Sequence, residues 1–219
     1  AEYRDAWVSS AELYGCIVIA PEFSEEFYPG SDQYMEGNIL DAFGNINPES
    51  EWTFSLIEPL FDFVKSDVGN LTTAYEMFGH SAGGQFVHRY ILFTSVTSVN
   101  RAIAANSGWY TVPDPTVDFP YGLDNSLAGV SAMPTFFTRK LIVHLGQDDT
   151  NPNDPSLNQS AGAMVQGAYR YARGLYFFAE SQSISSLNSM PFEWIKVEVP
   201  GVAHDFEAMS INAASILFE

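Results

Sequence analysis

The sequence predicts an α/β fold with a mostly parallel sheet and helices on both of its faces. Short, continuous apolar runs, typical of strands buried on both sides, alternate with longer segments of helical periodicity. The chain has 219 residues, 46% of them hydrophobic, which suits one domain with a large core. Because no Gly/Ser-rich or Pro-rich linker interrupts the pattern, we expect residues 1–219 to form a single domain.

Five apolar runs are predicted to be strands, and a helical segment follows most of them. The first run ends at Pro21, and the strands are expected at residues 14–21, 74–78, 101–106, 140–145 and 192–199. Asn47 and Pro48 are typical of a helix start, and Pro59 predicts a kink soon after it. Helices are expected at residues 1–7, 48–69, 82–96, 161–187 with a break near Gly174, and 205–218.

The charge of the chain excludes one class of partner. Nine Lys and Arg residues stand against 27 Asp and Glu residues, a net charge of −18. Such a surface repels phosphate backbones, so we expect no nucleic-acid partner. The apolar runs are too short to span a bilayer, and we expect no signal peptide within residues 1–219. A cytoplasmic and a secreted location both remain open, as does the oligomeric state.

One motif predicts a nucleophile. Gly79-His80-Ser81-Ala82-Gly83 matches the G-x-S-x-G pattern, and it lies between a predicted strand and a predicted helix. The serine of such a motif occupies a strained turn, so its neighbours must be small. Its hydroxyl then projects above the sheet edge beside the positive end of the helix. The alternative is an ordinary glycine-rich turn.

A serine needs a base, and His204 is the candidate that fits. It follows a predicted strand and precedes the last helix, which places it at the same sheet edge as Ser81. His80 lies inside the motif and should point away from the serine, whereas His88 and His144 fall within a helix and a strand. A capping or surface role is the alternative for His204.

The acid that orients the base should lie between the serine and the histidine in the chain. Asp148 and Asp149 follow the strand at residues 140–145, and we favour Asp149. The stretch from Asp149 to Asp154 weakly resembles the start of a calcium loop, but the sixth position lacks glycine and the twelfth lacks glutamate. We therefore expect no metal site, and nothing in the sequence indicates a cofactor.

These motifs resemble the α/β-hydrolase superfamily. The serine motif, the turn Gly146-Gln147-Asp148-Asp149 and the segment 200–205 are similar to those of bacterial single-domain esterases related to polyhydroxyalkanoate depolymerases and feruloyl esterases. The resemblance implies a serine esterase with a Ser81–His204–Asp149 triad acting on a small or polymeric ester. A polyester depolymerase, a peptidase or a catalytically impaired binding protein remain alternatives.

The same resemblance implies an oxyanion hole and a substrate pocket. The Ala82 backbone amide is the expected first donor; in similar proteins a second comes from a His-Gly-type loop after an earlier strand. Residues 1–7 resemble the helix after that loop, so we expect the N-terminal strands to lie outside residues 1–219. Expected pocket residues are Phe23, His80, Trp109 and Tyr110, although Trp109 and Tyr110 could equally pack beneath the 111–128 loop.

Overall fold

A computed structural model describes residues 2–95, 97–126 and 133–219. Within these residues the sheet has four parallel strands, in the order β1-β2-β3-β4. The strands are β1 (Tyr75–His80), β2 (Val99–Ala105), β3 (Leu141–Gly146) and β4 (Ile195–Val199). Four of the five predicted strands are therefore confirmed, with boundaries that differ by a few residues.

Helices precede, connect and follow these strands. They are α1 (Glu2–Asp5), α2 (Val8–Tyr14), α3 (Gly30–Tyr34), α4 (Ile57–Asp67), α5 (Ala82–Phe93), α6 (Met133–Thr138), α7 (Ala161–Gln166), α8 (Arg170–Leu187) and α9 (Phe206–Phe218). In the part of the chain that the structure describes, none of these helices combines the length and apolar character needed to cross a membrane.

The two faces of the sheet carry separate apolar cores, which confirms the prediction of helices on both sides. Along β2, Ala102 and Ala104 contact a core that includes Phe86 of α5 and Phe177 of α8. Ile103 and Ala105 belong to the other core, which includes residues of α9. Since side chains of a strand point alternately to opposite faces, a run of buried residues in β2 serves both cores.

The strand predicted at residues 14–21 is wrong. Gly15 ends α2 with φ 65°, and residues 16–20 continue as irregular extended chain. Ile17 and Ile19 are 62% and 43% exposed, so this apolar run is not buried on both faces. Among the described residues no strand lies beside it, and β1 pairs on one side only, with β2. An apolar run becomes a strand only where a neighbouring backbone completes its hydrogen bonds.

Two helix boundaries also differ from prediction. The break in the segment 161–187 occurs at Gly167, where φ is 146°, instead of at Gly174. Gly174 lies inside α8, and a Cβ there would lie 2.2 Å from the Leu145 side chain, so this glycine allows close packing of helix and sheet.

The helix predicted from Pro48 begins later. Two short 3₁₀ turns, Glu49–Glu51 and Thr53–Leu56, precede α4, which begins at Ile57. Pro59 falls in the first turn of α4. The backbone N–H groups of a first turn have no partner within the helix, so proline costs no hydrogen bond there and the expected interruption does not occur.

Candidate active site

Ser81 occupies the sharp turn between β1 and α5. Its backbone has φ 56° and ψ −115°, a combination that an L-residue adopts only when its surroundings enforce it. The Ser81 backbone N–H donates to the Ala105 carbonyl at 2.9 Å, which ties the turn to the end of β2. Ala82 is the first residue of α5, so its backbone N–H has no acceptor within that helix.

The glycines around Ser81 are required by close backbone contacts. A Cβ on Gly79 would lie 2.1 Å from the Gly83 carbonyl oxygen, and one on Gly84 would lie 2.7 Å from the Ala105 carbonyl oxygen. Both distances are far shorter than atoms tolerate, so larger residues would push the helix away from the strand. The small residues of the motif therefore hold Ser81 at the sheet edge.

The structure brings Ser81, His204 and Asp149 together at the carboxyl ends of β1, β4 and β3. His204 Nε2 lies 3.0 Å from Ser81 Oγ, and His204 Nδ1 lies 2.7 Å from Asp149 Oδ2. The Asp149 side chain is 3% exposed, whereas that of His204 is 24% exposed. The alternative acid, Asp148, points into solvent.

Asn106, which the sequence analysis did not single out, positions the loops of this site. Its Oδ1 accepts a hydrogen bond from the Gly146 backbone N–H at 2.7 Å, and its Nδ2 donates to the Ala203 carbonyl at 3.0 Å. One buried side chain thus joins the ends of β2 and β3 to the loop that carries His204. Asn106 directly follows β2, and its backbone has a φ of 44°. A positive φ cannot be recognised in a sequence, so the conformation of this residue gave no signal there.

The other three histidines are buried, and burial lowers the pKa of each. The pKa falls to about 3 for His80 and about 4 for His144, and that of His88 falls well below its ordinary value. His88 bonds the Gly84 carbonyl and the Thr111 amide, and His144 bonds Asn212. All three rings are therefore neutral near pH 7.

His80 packs directly against the candidate base, since its ring centroid lies 4.5 Å from that of His204. Both of its ring nitrogens are buried without a hydrogen-bond partner among the described residues. After burial, the next cause of its low pKa is repulsion from His204. His80 is thus a neutral ring packed against the histidine that contacts Ser81.

A cavity of about 480 Å³ adjoins Ser81. The chain segment 16–21 forms one wall, and β1 with the start of α5 forms another. Phe23 and His80, two of the expected pocket residues, border it, and Phe23 stacks with Tyr34 and packs against Phe86 to form an aromatic wall. The space extends along the edge of β1 that has no strand beside it among the described residues, and Ser81 lies at one end of it.

Trp109 and Tyr110 do not border this cavity as far as the structure describes it. They are 4% and 0% exposed; Trp109 packs against Tyr121, and Tyr110 stacks on Phe177. The chain leaves β2 at the sheet edge that carries Ser81, but the rings of Trp109 and Tyr110 turn inward to the core. The alternative of packing beneath the 111–128 loop describes Trp109, whose neighbour Tyr121 belongs to that loop.

The carboxylates of the calcium-like stretch already have protein partners. Asp149 contacts His204, and Asp154 Oδ1 accepts hydrogen bonds from the backbone N–H and the hydroxyl of Ser156. Asp154 also forms an ion pair with the buried Arg170. Across the described residues, no group of three or more His, Cys, Asp or Glu side chains is arranged to hold a metal ion.

Chemically, the arrangement can deprotonate a hydroxyl. An imidazole within hydrogen-bond reach of a serine, itself held by a buried carboxylate, activates that serine as a nucleophile. The positive end of α5 beside Ser81 favours the negative charge that develops when a carbonyl is attacked. Fold and geometry together are those of an α/β hydrolase.

Comparison with known proteins agrees. No protein-family model and no curated protein matches the sequence. The structure of poly(aspartic acid) hydrolase-1 from Sphingomonas sp. KT-1 is 38% identical with a TM-score of 0.97, and the match covers 100% of this chain and 83% of that one. A poly(3-hydroxybutyrate) depolymerase from Bordetella parapertussis is 33% identical with a TM-score of 0.94, over 99% and 73% of the two chains. The chain belongs to the α/β-hydrolase family, in the group that includes these two polymer hydrolases.

Proposed function

We propose that the protein is a serine esterase that cleaves carboxylic esters through an acyl-enzyme intermediate. Ser81 is the nucleophile, His204 the general base and Asp149 the acid that orients it. The observation that carries this proposal is the unbroken pair of contacts from Asp149 through His204 to Ser81, 2.7 and 3.0 Å long. Both lie within the range required for proton transfer and orientation.

The proposed reaction follows from this geometry. Ser81 Oγ attacks the ester carbonyl carbon while its proton passes to His204 Nε2, and the Ala82 amide donates to the oxyanion. The tetrahedral intermediate then collapses, and the proton on His204 moves to the departing alkoxide, which leaves as an alcohol. Water attacks the acyl-enzyme by the same route in reverse, releasing the acid and restoring the Ser81 hydroxyl.

The surroundings of Ser81 favour a neutral substrate. Phe23 and His80 line the proposed pocket with apolar and uncharged groups. Of the charged residues at the cavity border, Arg4 is paired with Asp5 and Glu76 with Arg101. Among the described residues no unpaired cation faces the cavity, and the net charge of −18 repels anions at longer range.

The two similar proteins suggest a second candidate, hydrolysis of a polymer. One is described as a hydrolase of poly(aspartic acid), a polyanion joined by amide bonds, and the other as a depolymerase of poly(3-hydroxybutyrate), a neutral polyester. The acidic surface, which repels a polyanion, favours the neutral polyester of these two. A peptidase activity on the same three residues is the remaining alternative.

A substrate panel tests this proposal. We expect turnover of p-nitrophenyl acetate and butyrate, and slower or no release from poly(aspartic acid), with Ser81→Ala as the inactive control. Release of 3-hydroxybutyrate oligomers from poly(3-hydroxybutyrate) would extend the activity to polyesters. Hydrolysis of poly(aspartic acid) without any turnover of the small esters would contradict the ester assignment.

A further inference from the structure

We propose that Arg170 is a positioning residue that fixes the charge and orientation of Asp149, with Asp154 as the anchor that holds Arg170 in place. This inference rests on the proposed function, because it assigns a role toward the acid of the proposed triad. Arg170 is the first residue of α8 and one of the most completely buried side chains of the protein, 2% exposed.

The contacts place the guanidinium between two carboxylates. Arg170 Nη1 lies 3.6 Å from Asp149 Oδ1 and 3.2 Å from Asp154 Oδ2. Arg170 Nη2 donates to the Ser156 hydroxyl at 2.7 Å and to Asp154 Oδ1 at 3.4 Å. The Asp154 side chain is 23% exposed, so the ion pair between Arg170 and Asp154 connects the buried Asp149 with the protein surface.

The two oxygens of Asp149 therefore have different partners. Oδ2 faces His204 at 2.7 Å, and Oδ1 faces Arg170. The same turn of α8 also holds the backbone, since the Tyr171 N–H donates to the Asp149 carbonyl at 3.1 Å. Rotation of the carboxylate away from His204 would separate Oδ1 from its cation, which is how Arg170 fixes the orientation.

Charge explains why a cation is needed at this place. Asp149 is 3% exposed, and an ionised carboxylate that deep in a protein is costly unless an opposite charge lies near. The proposed role of His204 as a base requires an uncharged imidazole before the reaction, so the mechanism takes no such charge from it. Arg170 supplies that charge, at a distance too long for a hydrogen bond, and Asp149 keeps enough of its negative charge to stabilise the imidazolium.

The other charged and titratable groups around Arg170 are consistent with a cation at this place. Hydrogen bonding from Arg170 is the largest cause that holds the pKa of Asp154 below its usual range. Repulsion from Arg170 contributes to the lowered pKa values of His80 and Arg173, after burial in each case. Burial raises the pKa of Tyr110, and the negative charge of Asp149 adds to that effect, so the phenol of Tyr110 stays neutral.

Arg170 and Asp154 should shift the protonation of His204 in opposite directions. In Arg170→Met, Asp149 loses its neighbouring cation, and His204 is no longer repelled by that cation. The imidazolium of His204 then forms more easily, so the midpoint of His204 protonation moves to higher pH. In Asp154→Asn, Arg170 turns fully to Asp149 and one anion is lost, so the midpoint moves lower. Arg170→Lys keeps the positive charge but lacks the planar guanidinium with its two terminal nitrogens. The midpoint of His204 protonation should therefore stay near that of the wild type, while the rate of Ser81 labelling falls.

The first measurement does not depend on activity. Imidazole-¹⁵N spectra of the full chain, with His204 assigned from the spectrum of His204→Gln, are recorded between pH 5 and 9. We expect shifts of about half a pH unit or more, upward for Arg170→Met and downward for Asp154→Asn. Arg101→Met, which removes an arginine paired with Glu76 elsewhere on the sheet, is the matched control and should not shift the midpoint.

The second measurement is the rate at which a fluorophosphonate labels Ser81. It should fall about 10-fold or more in Arg170→Met and be partly restored in Arg170→Lys, because Asp149 no longer holds the imidazole in one orientation. Circular dichroism confirms folding, and Asp154→Asn, at a partly exposed position, provides the test if Arg170→Met does not fold.

The two measurements separate the inference from the proposed function. Unchanged His204 midpoints in Asp154→Asn and, where it folds, in Arg170→Met would overturn the role of Arg170, whatever the activity. Midpoints that move as expected in a protein whose wild-type Ser81 never reacts would support the positioning role and refute the esterase. A general loss of stability without movement of the midpoint would mean that Arg170 only supports the fold.

Discussion

Neighbouring residues of the same type have opposite surroundings in this site. Asp149 is buried and contacts His204, whereas Asp148, one position earlier, is exposed. The difference follows from the turn after β3, where the Asp149 backbone N–H donates to the Gly146 carbonyl and the Asp148 backbone N–H donates to the Val202 carbonyl. The turn itself therefore selects which carboxylate points inward.

This difference predicts the outcome of two matched substitutions. Asp149→Asn should lower kcat for a p-nitrophenyl ester by about 10⁴-fold, because an amide at this place favours the wrong imidazole tautomer. Asp148→Asn should change kcat by less than about threefold, since its side chain is in solvent. Thermal unfolding of both variants checks that the fold is intact. The assignment of the acid is wrong if the Asp148 variant is the inactive one.

The sequence could predict residues whose role follows from chain order and strand ends, and it could not predict those whose role depends on packing. Ser81, His204 and Asp149 each follow a strand, and the carboxyl ends of parallel strands meet at one edge. Asn106 and Arg170 act across the molecule, on partners far away in the chain. Nothing in their local sequence indicates those partners. The local sequence likewise does not show that the Trp109 ring turns inward.

At the scale of elements, the turn from β1 into α5 contains two motif glycines, Gly79 and Gly83, that have different surroundings. A Cβ on Gly79 would lie 2.1 Å from the Gly83 carbonyl oxygen, whereas the nearest atom to a Cβ on Gly83 is the Tyr34 hydroxyl oxygen at 3.7 Å. The first distance requires backbone movement, and the second is an ordinary contact. The motif thus contains one glycine required by packing and one that is not.

We expect Gly79→Ala to destabilise the protein and Gly83→Ala to be tolerated. Overpacking against backbone costs about 1–3 kcal/mol, which lowers the melting temperature of a chain this size by about 3–10 °C. Gly83 lies within α5, where alanine is favoured over glycine by about 0.5–1 kcal/mol. Thermal melts followed by circular dichroism measure both. Equal losses in the two variants would contradict the close contact at Gly79.

Element boundaries show what a one-dimensional pattern leaves out. Residues 14–21 have the composition of a buried strand, but within the described residues no backbone pairs with them, so they stay irregular and partly exposed. Gly174 looks like a helix breaker, and instead it marks where α8 packs closely on Leu145 of β3. Both errors arise because pairing and packing partners are remote in sequence.

At the scale of the whole molecule, buried histidines couple stability to pH. The pKa values of His80 and His144 fall to about 3 and about 4, and that of His88 is also lowered. Between about pH 6.5 and pH 4 the unfolded chain binds protons at these rings that the folded protein does not bind. Folding stability is therefore fully present above about pH 6.5 and falls as the pH decreases.

Urea unfolding at pH 7, 6 and 5 measures this loss. Each buried histidine contributes up to about 1.4 kcal/mol per pH unit, so the free energy of unfolding should decrease steadily over this range. Glu36 acts in the opposite direction, since burial raises its pKa, but it is one carboxyl against three rings. A free energy of unfolding that stays constant or rises on acidification would show that these rings take up protons in the folded state.

We propose that Ser81, activated by His204, forms the covalent intermediate, and the site of covalent labelling tests this role of Ser81 most directly. The protein is treated with a fluorophosphonate, digested and mapped by mass spectrometry, beside the variants Ser81→Ala and His204→Gln. We expect one adduct, on Ser81, that disappears in Ser81→Ala and forms much more slowly in His204→Gln. An adduct on a different serine, undiminished in Ser81→Ala, would contradict the account.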